Sequence, residues 1–270
     1  MIEIREIKTI EQLEQVQQLE LNVWGMSAIP LHQTLTAVKN GGIVVGAYQE
    51  DKLVGFSYGF AGFREGKSYL CSHMLGIDEK YRSLGIGEKL KYEQRAIAID
   101  RGYDLMVWTF DPLETRNAYL NLSKLKGICY TYIENCYGEM QDGFNKGLPS
   151  DRFEVSWHLT SDYVVNDITI EVADAKPVAS CELTKQGLLC LKMTENFEFV
   201  EELYTLPVPK DFQALKAQNP SLALDWRFKT RTILKQLFSA GYAAISLQQR
   251  ECYNEYVLVK KAALNLEGAF

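Results

Sequence analysis

The sequence has few of the residues that metal sites and disulfide frameworks need. It contains 3 histidines and 6 cysteines, and no two cysteines form a C-x-x-C pair. A zinc site is therefore not expected, and we predict that the chain uses no metal. The sequence also shows no export signal, so the cysteines are expected to be reduced thiols.

The sequence also lacks an excess of basic charge and a long apolar run. It carries 29 Lys and Arg against 35 Asp and Glu, which gives a formal net charge of -6. A sequence-independent nucleic-acid binder needs a basic face, so no nucleic-acid partner is predicted. No stretch approaches the ~20 apolar residues of a membrane span, and the charged start "MIEIREIK" is unlike a signal peptide. We predict a cytoplasmic protein without a membrane partner.

The N-terminal part of the chain alternates helix and strand patterns. Apolar residues at helical spacing predict a helix over residues 9–24, with Thr9 as its N-cap. Residues 43–63 contain two strand patterns joined by the turn "EDK", which predicts a hairpin. A strand at 68–77, a helix that follows the loop and ends before Gly102, and a short apolar strand at 105–110 are predicted to follow. The polar face of that helix is assigned to Glu88, Lys89, Lys91 and Glu93.

The pattern changes near residue 160. Residues 161–167 are polar and predict a linker, and residues 168–173 and 188–193 have strand character. A helix is predicted over about residues 222–240, with the basic group at 226–235 as its solvated face. Two more strands follow that helix.

This order of elements predicts a mixed α/β fold in two domains. Residues 1–159 form the first domain, and residues 160–270 form a smaller C-terminal α+β extension. The role of the extension is left open: it could close over a substrate, form a homodimer contact or complete the core.

The stretch "YRSLGIGEKLKYEQRA" (81–96) places Gly85 and Gly87 at the start of a helix. The first turn of a helix offers backbone N–H groups and the positive end of the macrodipole, and glycine lets a phosphate approach closely. A tight turn without a ligand is the alternative. A P-loop motif is absent, and a dinucleotide-binding fingerprint would need glycine at the position of Leu90.

The pattern R-x-x-G-x-G from Arg82 to Gly87, after a strand and before a helix, resembles motif A of the GNAT superfamily of acyl-CoA-dependent N-acyltransferases. The order of elements over residues 1–159 is similar as well. The resemblance implies a GNAT-type fold, an acyltransferase of class EC 2.3.1, acetyl-CoA or another acyl-CoA as co-substrate, and a small-molecule amine as acceptor.

Three further stretches, "GMSAIP", "WTFDPLETRNAYLN" and "GLPSDRFEVSW", are similar to a GNAT subfamily of about this length with the same kind of extension. Relatives of that subfamily are often encoded beside N-succinylamino-acid racemases, which is a hint about substrate.

The resemblance also implies which residues bind the co-substrate. The strand before the loop would pair with the pantetheine arm, and Asn117 would contact the same arm. The pyrophosphate would lie on the loop amides. These strand and loop positions are Met74, Leu75, Gly76, Ile77, Arg82, Ser83, Leu84, Gly85, Ile86 and Gly87.

The catalytic residues are less well defined by the resemblance. The tyrosine that usually protonates the leaving thiolate is replaced by Leu122, so Tyr119, three residues earlier, is the candidate acid. His73 is the candidate base because its ordinary pKa suits proton transfer near neutrality. The alternatives are a packed aromatic for Tyr119 and a buried, backbone-bonded histidine for His73.

Candidate residues for acceptor binding lie in three segments: Trp24, Met26, Glu139, Asp142 and Arg152. An arginine beside the pocket could hold an acceptor carboxylate through two hydrogen bonds. Core packing for Trp24, a solvated turn for the carboxylates and a structural ion pair for Arg152 are the alternatives.

The leading functional hypothesis is an N-acyltransferase, most simply an N-acetyltransferase, in which the amine attacks the thioester directly in a ternary complex. One alternative is a catalytically silent acyl-CoA-binding sensor, which the leucine at position 122 would fit. Two others are an N-succinyltransferase acting on amino acids and an enzyme acting on a protein N-terminus or lysine.

Overall fold

A computed structural model of the chain describes residues 1–25, 28–140, 145–194 and 198–266. The described residues form two units. The first contains residues 1–108 and 157–161, and the second contains residues 109–156 and 162–266. The predicted domain division between residues 159 and 160 stays a prediction, because these units divide the chain by packing.

Strands and helices alternate in the first unit. Its elements are β1 (Ile2–Glu6), α1 (Ile10–Trp24), α2 (Leu31–Lys39), β2 (Ile43–Gln49), β3 (Lys52–Arg64), β4 (Lys67–Ile77), a 3₁₀ helix (Glu79–Tyr81), α3 (Ile86–Asp100) and β5 (Leu105–Phe110), whose last two residues belong to the second unit. The strand order is β1-β2-β3-β4-β5. Neighbours pair antiparallel from β1 to β4, whereas β4 and β5 pair parallel.

Local sequence signals set the ends of α1. The Thr9 side chain accepts a hydrogen bond from the Gln12 backbone N–H, and the Gln12 side chain binds back to the Thr9 backbone. This capping box satisfies two amides that the first turn would otherwise leave unpaired. Gly25 ends the helix with φ of 64°, a left-handed conformation that glycine adopts without a Cβ clash. The predicted helix start at Thr9 is confirmed.

The first unit has a core between its helices and its sheet. Leu13, Val16 and Leu19 of α1 share one face and are almost fully buried. They pack with residues of β2 and β3, including Val44, Tyr48, Leu53, Phe56 and Tyr58. The apolar face of α1 and the apolar face of the hairpin formed by β2 and β3 therefore pack against each other in one layer.

The second unit contains α4 (Thr115–Ala118), a π-helical segment (Tyr119–Lys124), β6 (Ile128–Ile133), β7 (Arg152–His158), α5 (Asp162–Val165), β8 (Lys176–Pro177), β9 (Ala179–Leu183), β10 (Leu189–Met193), β11 (Leu203–Val208), α6 (Phe212–Gln218), α7 (Pro220–Ser239), β12 (Tyr242–Gln249), β13 (Asn254–Lys260) and a 3₁₀ helix (Lys261–Ala263). The last two residues of β7 belong to the first unit. The strand order is β7-β6-β12-β13-β11-β8, and β9 pairs with β10 in a separate hairpin.

Two predictions for the C-terminal part are wrong. Residues 161–167 are not an extended linker, because Asp162–Val165 forms one helical turn. Its Tyr163 is buried in a cluster with Ile128, Ala243 and Val257. Residues 168–173 form no strand although they alternate apolar and polar side chains. Alternation alone does not make a strand when the backbone finds no pairing partner.

The C-terminal segment takes part in the same unit as residues 109–156. Ala244 of β12 lies opposite Cys129 of β6 in an antiparallel pair, and Ser123 accepts a hydrogen bond from the Leu247 backbone N–H at 2.9 Å. This arrangement supports the alternative in which the extension completes a core. Within the described ranges, we find no helix with the length and apolar character that crossing a membrane requires.

Candidate active site

The loop from Arg82 to Gly85 leads from the 3₁₀ helix into α3. Ser83 and Gly85 both have positive φ, at 69° and 73°, and Gly85 is the N-cap of α3. Because Gly85 has no side chain, it cannot cap the first amides of α3 itself. The loop side chains from Arg82 to Gly85 are exposed. The geometry therefore turns a helix N-terminus toward solvent, as an anion-binding site requires.

One edge of β4 is open beside this loop. β4 pairs with β5 at two positions, Leu70 with Met106 and Cys71 with Val107. Residues 74–77 of β4 pair with residues 55–58 of β3 on the opposite edge. The strand therefore keeps backbone N–H and C=O groups available on its β5 side beyond Cys71, and an extended ligand with amides could pair with them.

His73 lies where β4 is irregular. The register against β3 shifts between Cys71 and Met74, so one extra residue bulges out of β4 there. The His73 ring packs edge-on against Phe60, with centroids 5.7 Å apart, and against Tyr58 at 6.3 Å. This desolvation lowers the pKa of His73 below its ordinary value, so the neutral imidazole is favoured. A neutral ring can accept a proton, and its role as base stays a prediction.

Trp24 packs beside Gly76, near the C-terminal end of β4. Its indole packs edge-on against Phe56 at 6.0 Å between centroids, and a Cβ at Gly76 would lie 3.0 Å from the Trp24 ring. Gly76 is thus needed for the close approach of this side chain. The structure brings together two predicted site residues here, but Trp24 keeps 39% of its surface exposed. Met26 lies outside the described residues.

The prediction that Lys91 lies on the polar face of α3 is wrong, because its side chain is buried and only 2% exposed. Its Nζ donates to Ser72 Oγ at 2.7 Å and lies 3.6 Å from the centre of the Trp108 ring. Lys91 and Gln94 point inward because they share a helical stripe with Gly87 and Ala98, which are also buried. That stripe was the signal that could have identified both residues.

Burial lowers the pKa of Lys91 to about 7. The folded chain therefore binds fewer protons than the unfolded chain between pH 7 and about 10. Over this range the free energy of unfolding rises with pH. The destabilisation caused by burying the Lys91 amine is greatest at and below pH 7.

We expect Lys91→Met to stabilise the protein at pH 7 by roughly 2–4 kcal/mol, since methionine needs no hydration and only the bond to Ser72 is lost. The gain should shrink towards zero near pH 10. Urea unfolding of both proteins across this range measures the difference. Lys89→Met, at an exposed position of the same helix, should change stability little at any pH. If the increase in the free energy of unfolding for Lys91→Met does not vary with pH, the conclusion that the Lys91 amine is buried and desolvated is contradicted.

Asn117 and Tyr119 lie near the start of the second unit. Asn117 is exposed on α4. Tyr119 begins the π-helical segment and is 39% exposed, whereas Leu122 in the same segment is fully buried. Segments with π-helical bonding are frequent at functional sites. The role of Tyr119 as acid stays a prediction.

The remaining acceptor-site candidates differ in exposure. Glu139 is exposed in a turn, and Asp142 lies outside the described residues. Arg152 is nearly buried: its Nη1 donates to the Asp151 carbonyl and its Nη2 to Asn145 Oδ1, both at 2.8 Å. Its guanidinium also lies 5.3 Å from the centre of the Tyr137 ring. Its Nη1 also lies 3.8 Å from Asp111 Oδ2, so contacts within the protein fix Arg152 before any ligand binds.

A buried ion-pair network in the second unit was not predicted. Arg227 of α7 binds Asp111 through both terminal nitrogens, with Nη1 to Oδ1 at 2.8 Å, and is 1% exposed. Arg231 binds Asp151 in the same two-bond manner, with both distances at 2.8 Å. Burial alone would lower the pKa of Arg227, but the charge and hydrogen bonds of Asp111, together with Tyr132 and Asp151, outweigh burial and raise the pKa.

These contacts correct the assignment of residues 226–235. They were predicted to form the solvated face of a helix, but Trp226, Arg227 and Thr230 are buried. The Tyr132 hydroxyl donates to Asp151 at 2.6 Å, and burial together with that carboxylate raises the pKa of Tyr132. Among the described residues, no group of three or more His, Cys, Asp or Glu side chains could hold a metal ion. The predicted lack of a metal stays a prediction.

The comparison with protein families agrees with the geometry of the first unit. Residues 6–120 match the model of the acetyltransferase (GNAT) family. The match covers less than half of the 270 residues, so it shows that this segment is similar to GNAT acetyltransferases. A search of curated proteins finds no significant match to the chain.

Two solved structures that the chain resembles are described as N-acetyltransferases, and a third is described as a complex with a bisubstrate analogue. The ribosomal-protein-S18-alanine N-acetyltransferase from Escherichia coli is 14% identical over 59% of this chain and 94% of its own, with a TM-score of 0.47. An N-acetyltransferase from Staphylococcus aureus Mu50 is 16% identical over 59% and 99%, with a TM-score of 0.48. Arabidopsis thaliana NAA60 with a bisubstrate analogue is 15% identical over 58% and 97%, with a TM-score of 0.45. Identities this low identify no substrate.

Proposed function

We propose that the protein is an acyl-CoA-dependent N-acyltransferase that moves an acetyl group from coenzyme A to a small amine. One observation carries this proposal. An exposed loop with two left-handed residues opens α3 directly after β4, and the β5-facing edge of β4 is open beside it. A ligand with a pyrophosphate and an amide-containing arm would place the pyrophosphate on the loop and the arm along the open edge of β4.

In this proposal, the loop holds the pyrophosphate and β4 holds the arm. The amides of residues 82–87 point at the anion, and Arg82 adds a fixed positive charge suited to phosphate. Residues 74–77 form backbone hydrogen bonds with the pantetheine amides, as an added strand would. Asn117 is the proposed side-chain contact to the same arm.

The chemistry needs a base for the attacking amine and a proton for the leaving thiolate. His73 is the proposed base because it lies on β4 and its lowered pKa favours the neutral ring. Tyr119 is the acid that the sequence suggests. Direct attack in a ternary complex is proposed, since no cysteine was assigned as a nucleophile.

The acceptor is proposed to be a small-molecule amine, with an amino acid as one example. Trp24 offers a partly exposed aromatic surface over β4, which suits a small organic acceptor. Glu139 and Arg152 are further proposed contacts, together with Met26 and Asp142, which lie outside the described residues. A succinyl donor, a cytoplasmic location and a homodimer also stay predictions.

A second function is favoured by one position. Leu122 is fully buried where the family's usual acid would stand, so the domain could bind acyl-CoA without turnover and act as a sensor. Both functions need the same loop and the same strand edge. Turnover on an amine panel distinguishes them.

We expect coenzyme A and acetyl-CoA to raise the thermal unfolding midpoint of the purified protein. A ligand at a hundred times its dissociation constant adds about 2.7 kcal/mol when it binds only the folded state. Pantetheine, which lacks the pyrophosphate, should cause a much smaller shift at the same concentration. Acetyl-CoA should then be consumed with at least one small amine. A shift without turnover would favour the sensor, and no shift with any acyl-CoA would refute both functions.

A further inference from the structure

Lys91 lies where β4 and β5 stop pairing. The last paired residues are Cys71 on β4 and Val107 on β5. Lys91 contacts the next residue on each strand: its Nζ lies 2.7 Å from Ser72 Oγ and 3.6 Å from the centre of the Trp108 ring. The amine thus sits at the fork between the two strands, on the side of α3.

The surroundings hold this amine in place and orient it. Gln94 Oε1 accepts hydrogen bonds from Ser57 Oγ at 2.9 Å and from Ser72 Oγ at 2.6 Å. Because Ser72 gives its proton to Gln94, its oxygen can only accept from Lys91. The face of Trp108 stabilises the charged form. In the described ranges, no carboxylate forms an ion pair with Lys91, so the charge of the ammonium is available to another anion.

The fork is also within reach of the proposed ligand. From Ile77, next to the phosphate loop, to Ser72 the strand runs five residues, about 17 Å at the usual rise per residue. An arm of about that length that starts at the loop and follows the open edge of β4 would end near Ser72. The bulge at Ser72 and His73 lies at the same point, and bulges often re-aim side chains beside active sites.

We propose that Lys91 is the general acid of acyl transfer and that it donates a proton to the sulfur of the leaving thiolate. This inference rests on the proposed function. The amine lone pair forms the new N–C bond, the C–S bond breaks, and its electron pair moves to sulfur. Lys91 Nζ supplies the proton to sulfur and later regains one from water, while the proton of the attacking amine passes to His73.

The acidity of Lys91 suits this role. Burial lowers its pKa to about 7, below the value of about 8.5 for an ordinary thiol, so transfer from ammonium to thiolate is downhill. The thiol of Cys71 on β4 is the titratable group that acts on Lys91 electrostatically, and it favours the charged form. Gln94, Ser57, Ser72 and Trp108 face the amine without a titratable charge. With Lys91 as the acid, no other residue of the helix that carries Leu122 has to take the role of the family's usual tyrosine.

The test is the acidity of the coenzyme A thiol in its complex with the protein. Thiolate absorbance is followed through a pH titration of the coenzyme A complex, with the desulfo-coenzyme A complex as blank to remove the protein's own cysteines. A nearby ammonium favours the thiolate. We expect the bound thiol to titrate at a lower pH in the wild type than in Lys91→Met, because the thiolate and the protonated amine stabilise each other. Lys39→Met, at an exposed position of α2, should titrate like the wild type.

Kinetics with an accepted amine give the second readout. Lys91→Met should lower kcat by roughly 10²–10⁴-fold, the usual contribution of general acid catalysis, with little change in KM for acetyl-CoA. The kcat of the wild type is expected to decline above pH 7 as Lys91 loses its proton. The kcat of Lys91→Met should not show this decline. Lys39→Met, at an exposed position of α2, is the matched control and should change neither quantity.

The outcomes separate the two proposals. Equal thiol titration in the wild type and Lys91→Met, or an unchanged kcat, overturns the role of Lys91 and leaves the acyltransferase assignment intact. If the wild type does not bind coenzyme A, the proposed function fails and the role of Lys91 fails with it.

Discussion

Gly85→Val is expected to abolish coenzyme A binding while the protein stays folded. Gly85 has φ of 73°, and a β-branched residue is a severe outlier in this region. The loop must therefore change its backbone to accept valine, and the first amides of α3 turn away from the proposed phosphate position. Losing two charge-assisted hydrogen bonds at about 1.5 kcal/mol each would weaken binding at least about 100-fold. Isothermal titration with coenzyme A measures the change.

The strain of this substitution also costs stability, so a matched control is needed. Gly102 follows the other end of α3 with φ of 81°, and at both glycines an added Cβ would meet no atom within 4 Å. Gly102→Val should therefore lower stability about as much as Gly85→Val, by roughly 1–2 kcal/mol. It should leave coenzyme A affinity unchanged because it lies far along the helix from the loop. Equal affinity in both variants would mean that the loop does not hold the pyrophosphate.

Features with local causes could be predicted from the sequence. Thr9 and Gln12 form a capping box within four residues, and the hairpin turn between Gln49 and Lys52 joins strands that are adjacent in the chain. The loop from Arg82 to Gly87 also carries its signal in six consecutive residues. In each case the residues that determine the conformation are neighbours in sequence, so their chemistry can be read directly.

The polar residues of the interior could not be predicted in the same way. Lys91 and Arg227 both lie on amphipathic helices, where charged side chains are normally exposed. Their burial depends on distant partners: Ser72 precedes Lys91 by 19 residues, and Asp111 precedes Arg227 by 116. Residues 168–173 show the opposite case, since their alternating pattern finds no strand to pair with. Long-range pairing determines all three, and for Lys91 the local signal is the buried stripe that it shares with Gly87 and Ala98.

Arg227→Met is expected to destabilise the protein by about 3–5 kcal/mol, the usual cost of removing one partner of a buried ion pair. Arg227 is 1% exposed and the Asp111 side chain 11%. Asp111 would keep the hydrogen bond that its Oδ1 accepts from the Leu113 backbone N–H at 2.8 Å and the more distant Arg152, whose Nη1 lies 3.8 Å from its Oδ2, but would lose its nearest counter-charge. Urea unfolding of the full chain at pH 7 gives the change in free energy of unfolding.

Two further variants test whether the unpaired charge causes this loss. Lys235→Met removes a cation from the same helix, but the Lys235 pair with Glu134 is 50% and 40% exposed, so it should cost about 0–1 kcal/mol. Adding Asp111→Asn to Arg227→Met removes the stranded carboxylate and should recover a large part of the stability. If the double variant is as unstable as Arg227→Met, lost packing rather than a buried charge explains the effect. If Arg227→Met is no worse than Lys235→Met, the pair between α7 and the end of β5 does not stabilise the second unit.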